Sequence, residues 1–275
     1  MRLKSRIFFL LVFACWGGLF FRAEAESDAV FSPPFWIKGG ASLGTCAQFD
    51  AQSSADIWKD FAFSVGWTTA GATMVHSLQV GQLEFGMGLD PQNGLAFDFN
   101  YMQGPDYTAT AAISQVGFYL DFRGKFHILD FELSYLRFFP DGDGRFYLKA
   151  GGGYYQALLD YSAAVNVGLG GAASGAGLFG GEGLGATFEA GREWRLEKNL
   201  GIGVFYRQRL AVVPRIHQDN VPLVGGGIGN VGLVVEPNGT INIDDPDLIG
   251  KDGSRWAVAD LSGFDAGLTF NLYLY

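Results

Sequence analysis

Asp265-Ala-Gly-Leu-Thr-Phe-Asn-Leu-Tyr-Leu-Tyr275 alternates without a break: Leu268, Phe270, Leu272 and Leu274 fall on one face, Asp265, Thr269 and Asn271 on the other. A period of two is that of a β-strand with an apolar and a polar side. The same design recurs upstream. Leu200, Ile202, Val204 and Tyr206 oppose Phe205, Arg207 and Arg209, and Leu184, Ala186, Phe188 and Ala190 oppose Thr187, Glu189 and Glu193. Glu197-Lys198-Asn199 supplies a tight turn between these two segments, which makes them an antiparallel hairpin.

Residues 1–25 read as a secretory signal: basic Arg2, Lys4 and Arg6, an apolar run from Ile7 to Phe21, and Ala23-Glu24-Ala25 as a small-x-small cleavage site. Gly17-Gly18 interrupts the run, which falls short of the roughly 20 apolar residues of a spanning helix. A lipoprotein signal at Cys15 fits less well, because Phe13 and Trp16 are bulky. After cleavage near Ala25, Cys46 is the single cysteine, so stability cannot come from an internal disulfide. Removing Arg2, Lys4, Arg6, Arg22 and Glu24 leaves 15 basic and 27 acidic residues, a balance that argues against a nucleic-acid partner.

Nothing after residue 25 is a continuous apolar helix, yet 48% of the chain is hydrophobic and it carries 25 Phe, 11 Tyr and 6 Trp. A chain that crosses lipid without helices must close its sheet, since lipid offers no partner to an open backbone edge. Strands of about 10 residues with aromatic girdles suffice. The fold expected is therefore an all-β, antiparallel up-and-down transmembrane barrel over 35–275, preceded by a lead at 26–34. A soluble secreted barrel binding a small apolar ligand has the same composition and differs in facing, with polar sides outward.

Further candidate strands are 35–43, 61–67, 83–89, 95–101, 116–122, 129–135 and 145–155. Pro140-Asp-Gly-Asp-Gly144 turns the last two into a hairpin. The count is eight to ten, with ten favoured. Eight follows if Asp90-Pro-Gln-Asn-Gly94 is a turn. In the ten-strand scheme, short turns near Gly71, Gly104, Asp141 and Lys198 lie on one side. Long connections at 45–60, 162–183 and 213–255 lie on the other, and both termini share the short-turn side, as in outer-membrane barrels.

Phe35-Trp-Ile-Lys-Gly-Gly40, Phe146-Tyr-Leu-Lys-Ala-Gly-Gly-Gly-Tyr-Tyr155, Phe188-Glu-Ala-Gly-Arg-Glu-Trp194 and Gly267-Leu-Thr-Phe-Asn-Leu272 resemble strands of the small bacterial outer-membrane barrels, the opacity-type proteins and the OmpA-like membrane domain. The resemblance covers most of 35–275 through degenerate motifs. It implies insertion by an outer-membrane assembly machine that reads the last strand, with Gly267, Phe270, Leu272 and Tyr275 as the signal. Tyr275 departs from the pattern, because it falls on the face opposite Phe270 and Leu272.

The polar faces direct Glu84, Asp98, Asp121, Arg123, Asp130, Glu132, Lys149, Glu189, Glu193, Arg207, Arg209 and Asp265 into the lumen. Charges in so narrow a space must pair, and the expected pairing joins Glu189 and Glu193 to Arg207 and Arg209. The network is read as a structural plug in preference to a selectivity filter. His76, His127 and His217 are scattered; Ser134 or Asp130 near His127 is the one arrangement that suggests hydrolysis. Asp244-Asp-Pro-Asp247 with Asp252 lacks a metal-loop spacing. No catalytic residue, metal or cofactor is therefore assigned.

The Gly- and Ala-rich 162–183 reads as an irregular, mobile loop, whereas Asn230 to Ile243 reads as a hairpin turned at Pro237-Asn238-Gly239, above or over the barrel mouth. The functional expectation is a non-enzymatic outer-membrane protein of a Gram-negative-type bacterium. Its role is structural or adhesin-like, with lipid, the assembly machine and an extracellular partner at the loops as its contacts. A small passive channel is the alternative.

Overall fold

A computed structural model describes residues 33–46, 68–72, 77–104, 107–113, 118–142, 144–167, 172–222, 228–235, 237, 241–244, 249–250 and 253–275. The signal, the 61–67 segment and His76 lie outside them. The strands are β1 (Phe35–Thr45), β2 (Thr68–Ala72), β3 (Ser77–Asp90), β4 (Asn93–Gln103), β5 (Tyr107–Ile113), β6 (Phe118–Asp141), β7 (Gly144–Val167), β8 (Ala172–Arg195), β9 (Leu200–Val213), β10 (His217–Pro222), β11 (Ile228–Val235), β12 (Ile241–Asp244), β13 (Arg255–Trp256), β14 (Ala259–Asp260) and β15 (Gly263–Leu274).

Eight of them close a ring, β1-β3-β4-β6-β7-β8-β9-β15, in which each neighbour pair is antiparallel and the last strand returns to the first from Phe35↔Leu274 to Gly44↔Asp265. The favoured count of ten included 61–67, which lies outside the described residues, and divided one strand in two. Residues 116–122 and 129–135 belong to a single β6, paired to β7 without a break from Phe118↔Val167 to Asp141↔Gly144. Pro91-Gln92 is a turn between β3 and β4, which is the eight-strand alternative, and it shares an end of the barrel with the turn at Gly142, the 196–199 turn, the start of β1 and the end of β15. Gly142 has φ 59° there, a conformation that suits glycine.

Above the opposite end the wall continues. β5 pairs the outer part of β6, β2 pairs β5, β10 joins β8 at His217↔Gly180, and β11 and β12 follow. The 162–183 segment is not an irregular loop: its described residues are the tips of β7 and β8, paired to Asn166↔Ala172. The 230–243 hairpin is present as β11 and β12, with Leu233↔Ile243 and Val235↔Ile241.

Facing changes along the strands. In the half nearer the termini, Leu83, Phe85, Phe97, Phe131, Leu133, Phe188, Ile202, Val204, Leu268 and Phe270 point out and are exposed, Phe270 by 75%, while charged side chains point in. Toward the outer end the inward residues become apolar: Leu78, Val80, Met102, Phe126, Ile128, Ala157, Leu159, Ala211 and Val213 are buried inside. The outward face there is mixed, with Gln79, Arg123 and Asp160 exposed and Leu43 and Leu178 exposed opposite Gln79 and Asp160. Arg123 is thus an outward residue, contrary to the lumenal position read from the sequence: unbroken β6 puts it on the face of Phe131. Asp121 lies outside the described side chains.

Inward aromatic rings lie against inward glycines. Trp36 faces Gly86 directly across β1 and β3, and Tyr147 faces Gly191 across β7 and β8. A Cβ on Gly86 would lie 1.8 Å from Trp36 Cε2. Only glycine admits the ring there. Gly86→Val is therefore expected to displace Trp36 and lower stability by about 1–3 kcal/mol, the usual range for overpacking, measurable as an earlier loss of Trp fluorescence signal in urea than for the wild type.

Candidate functional site

The lumen holds the densest chemistry of the molecule. Alternation sends every second residue inward, and in the middle of the barrel those residues are polar on all eight strands. Seven carboxylates (Glu84, Asp98, Asp130, Glu132, Glu189, Glu193, Asp265) and five cations (Lys38, Arg145, Lys149, Arg207, Arg209) are buried, none more than 5% exposed.

Their pairing crosses the barrel. Lys38 Nζ on β1 is 3.0 Å from Glu84 and 2.6 Å from Glu193. Lys149 Nζ is 2.7 Å from Glu84 and 2.5 Å from Asp98. Arg145 Nε donates to Glu193 at 2.7 Å. Arg207 reaches Glu189 at 3.3 Å and Asp265 at 3.4 Å, and Arg209 reaches Asp265 at 3.0 Å.

Neutral groups complete the set. Trp36 Nε1 donates to Glu84 at 2.6 Å, Ser42 to Asp265 at 2.8 Å, and Tyr147 to Glu189 at 2.6 Å. Thr187 donates to Glu132 at 2.8 Å, and so does the hydroxyl of Tyr155. Asn100 Nδ2 donates to Asp130 at 2.5 Å, while its carbonyl oxygen accepts from Arg207 at 3.0 Å.

Of the pairs expected across the β8-β9 hairpin, Glu189 and Arg207 are directly opposite and meet. The same register sets Glu193 opposite Gly203 and Arg209 opposite Thr187, so both turn elsewhere: Glu193 to Lys38 and Arg145, Arg209 to Asp265. Lys149 and Asp98 pair with each other, and Asp130 and Glu132 meet neutral donors. Lys38, Arg145 and Trp36 were not singled out from the sequence. The signal for Arg145 was its even spacing from Lys149; for Lys38 it was the exposed Phe35 three residues before it, which fixes the phase of β1.

Apolar layers close the network at both ends. Toward the termini, Trp36, Ala96, Leu136, Phe138, Tyr147, Phe205 and Tyr273 form one cluster, with Trp36 and Phe138 edge to face at 5.5 Å and Arg145 lying 3.7 Å over Phe138. Toward the outside, Cys46, Tyr155, Phe179, Ile216, Val235, Ala257 and Leu261 join the inward apolar residues of the wall. Val235 and Ala257 come from the long connection between β9 and β15, so that connection seats an apolar lid in the mouth.

Of the insertion residues, Phe270 and Leu272 are exposed on the outer face, Gly267 lies close against Ala41 and Ser42 of β1, and Tyr275 follows the end of β15 with Lys198 Nζ 5.6 Å from its ring. His127 bonds Tyr101 at 2.6 Å on the outer face, whereas Ser134 and Asp130 are buried in the lumen. The strand thereby separates the residues that suggested hydrolysis. The side chains of Asp244 to Asp247 and Asp252 lie outside the described set.

No known family profile matches the chain, and no curated protein matches it in sequence. Solved structures similar to it include the outer membrane protein OprG from Pseudomonas aeruginosa, with TM-score 0.40, 12% identity, and 88% of this chain and 97% of that one covered. Neisserial surface protein A has TM-score 0.39 and 11% identity over 88% and 99%. Ail, the attachment invasion locus protein of Yersinia pestis, has TM-score 0.36 and 10% identity over 88% and 99%. These neighbours are bacterial outer-membrane β-barrel proteins. At such scores the residues and functions of the neighbours do not transfer, and the closed ring rests on its own pairing.

Removing one partner of a buried, bonded pair leaves a charge stranded. Asp265→Ala, which strands Arg209 and half of Arg207, is expected to lower stability by about 3–5 kcal/mol, read from urea unfolding of the protein in vesicles. Cys46 lies in the outer apolar cluster, beyond the last exposed leucine of β1, and burial pushes its thiol up to about 11. Maleimide at neutral pH should label it at least about tenfold more slowly in the folded protein than in urea, because the thiolate is the reacting form.

Proposed function

We propose that the protein is an outer-membrane barrel of a Gram-negative-type bacterium, with a sealed lumen and a structural or adhesin-like role carried by its outer projection. The observation that carries this reading is the change of facing along the strands. An apolar-out, charged-in wall suits lipid, and the half nearer the short turns has it. In the half away from those turns the inside becomes apolar and polar residues such as Gln79, Arg123 and Asp160 join the outward face, as suits a wall that leaves lipid for water. A soluble barrel would need the second arrangement throughout, and the exposed Leu268, Phe270 and Ile202 contradict it.

The lumen supports a plug. A passive channel requires an open path, while here the polar zone is filled by long side chains and stopped at each end by an apolar cluster. The projection built from β2, β5, the tips of β6 to β8, and β10 to β12 is the surface available to an extracellular partner, since binding resides on segments displayed by a rigid scaffold. Outer-membrane lipid would contact the belt, and the assembly machine would read β15. The ring of eight with short turns on the side of the termini agrees with an opacity-type or OmpA-like relationship.

Planar-bilayer recording tests the seal: no stable opening of general-porin size is expected, and a steady large conductance would refute the plug. Deletion of Val231 to Ile243 tests the division of labour. The barrel should still insert and shift its gel mobility on heating, because these residues lie outside the ring, while cell-surface binding is lost. Failure to insert would make the segment part of the membrane wall.

A further inference from the structure

The outer face of the ring is hollow in one sector. Across β15, β1, β3 and β4 the outward residues pair rung by rung. Leu268, Ala41, Gly81 and Tyr101 make one rung, Ala266, Leu43, Gln79 and Gln103 the next above it, and Phe270, Gly39, Leu83 and Phe99 the one below. Ala41 and Gly81 form the floor of a groove of about 570 Å³, with Leu268 on one side and Tyr101 on the other.

Packing within the protein does not account for the glycines of this sector. Gly86 and Gly191 make room for the rings of Trp36 and Tyr147, whereas a Cβ on Gly39 or Gly81 would meet nothing within 4 Å. Glycine inside a strand weakens it, and it marks a bulge, a bend or a place where a ligand or a second backbone comes close. Gly39 and Gly81 keep unbroken register with the strands on either side, and neither has a positive φ. The open space above them points to an approach from outside the barrel.

The groove is fixed at its side and graded along its length. Tyr101 and His127 share a hydrogen bond of 2.6 Å and stack with ring centroids 5.9 Å apart, which holds the Tyr101 wall in place. At the upper end Gln79 stands opposite Gln103. The four strands have their outer ends just above, at Thr45, Ser77, Gln103 and Gly263. The recess is therefore apolar below, bordered by neutral amides above, and lined by no charged residue.

We propose that this groove is a binding site for one acyl chain of a membrane lipid in the leaflet farther from the short turns, with the lipid's ester region level with Gln79 and Gln103. The occupant follows from continuity. The groove is a recess in the exposed apolar belt, and it opens downward onto Phe270, Leu83 and Phe85, which are exposed on that belt. A chain lying in it touches protein on three sides, and those added dispersion contacts are what distinguish it from fluid lipid against a flat wall. The uncharged rim offers nothing to a headgroup phosphate, so the chain is what the site selects. The inference rests on the membrane reading above and adds to it one lipid held in a fixed place.

Native mass spectrometry of the intact protein tests it, after release from vesicles of palmitoyl-oleoyl phosphatidylethanolamine or of the phosphatidylglycerol with the same chains. One phospholipid should stay bound to the wild type at collision energies that strip the rest, and equally with either headgroup. Gly81→Leu and Ala41→Leu each put a side chain into the recess. Each should cut the retained fraction at least about tenfold, the size of effect that overfilling a packed site produces. Leu133→Ala, on the belt at β6, should retain the lipid as the wild type does.

A wild type that inserts and retains no lipid, or groove variants that retain it undiminished, would overturn this inference alone. A wild type that carbonate strips from the membrane would overturn the membrane reading and this inference together. Retention of phosphatidylglycerol only would mark a headgroup site, and a dimer that disappears in Gly81→Leu would mark a contact between copies; either result refutes the acyl-chain site. If one groove variant does not insert, the other reads the same recess from the neighbouring strand.

Discussion

Closure of β1 on β15 is the constraint on which the rest depends. Ten residue pairs, from Phe35↔Leu274 to Gly44↔Asp265, convert a sheet with two open edges into a ring with none. In lipid an unpaired backbone edge costs several kcal/mol per group, so the ring either closes or does not persist. Closure then fixes the size of the interior. Eight strands leave a core just wide enough for side chains, and the charged residues that alternation sends inward must find partners across it.

Those partners come from different strands. Lys38 ties β1 to β3 and β8, Lys149 ties β7 to β3 and β4, and Arg207 ties β9 to β15 and β8. Such pairs are weak evidence for net stability, because desolvation offsets much of the attraction. Their contribution is selectivity among packings: with several strands sharing each cation, few arrangements satisfy all the carboxylates at once. The glycines opposite Trp36 and Tyr147 serve the same end by giving large rings room against the wall.

Where chemistry and facing kept a constant relation, the strands were legible in the sequence. The 184–210 hairpin and the last strand carry mostly apolar residues on the exposed side, Arg192 and Gln208 being the polar interruptions in the hairpin, and Pro140-Asp-Gly-Asp-Gly144 and the 230–243 hairpin contain residues that specify their turns. The reading failed where that relation reverses. Along Arg123-Gly-Lys-Phe-His-Ile128 the inward residues become apolar and the outward ones polar, which resembles a break between two strands although the backbone runs on. Arg123 was assigned to the wrong side for the same reason. The lumenal partners of Glu193 and Arg209 were not legible either, since they depend on which strands face one another across the barrel, and local alternation carries no information about that.

The reversal also limits how the barrel can be mis-assembled. Alternation alone forbids a slip of one residue between neighbouring strands and tolerates a slip of two, which leaves every side chain on its proper face. In β6 a slip of two relative to β7 would carry Asp130 toward the apolar layer and Ile128 among the charges. Each strand is therefore indexed in height as well as in facing. An error in vertical alignment meets a penalty at the zone boundary on every strand it touches, and the wall retains one register where a uniformly patterned sheet of the same length would have several.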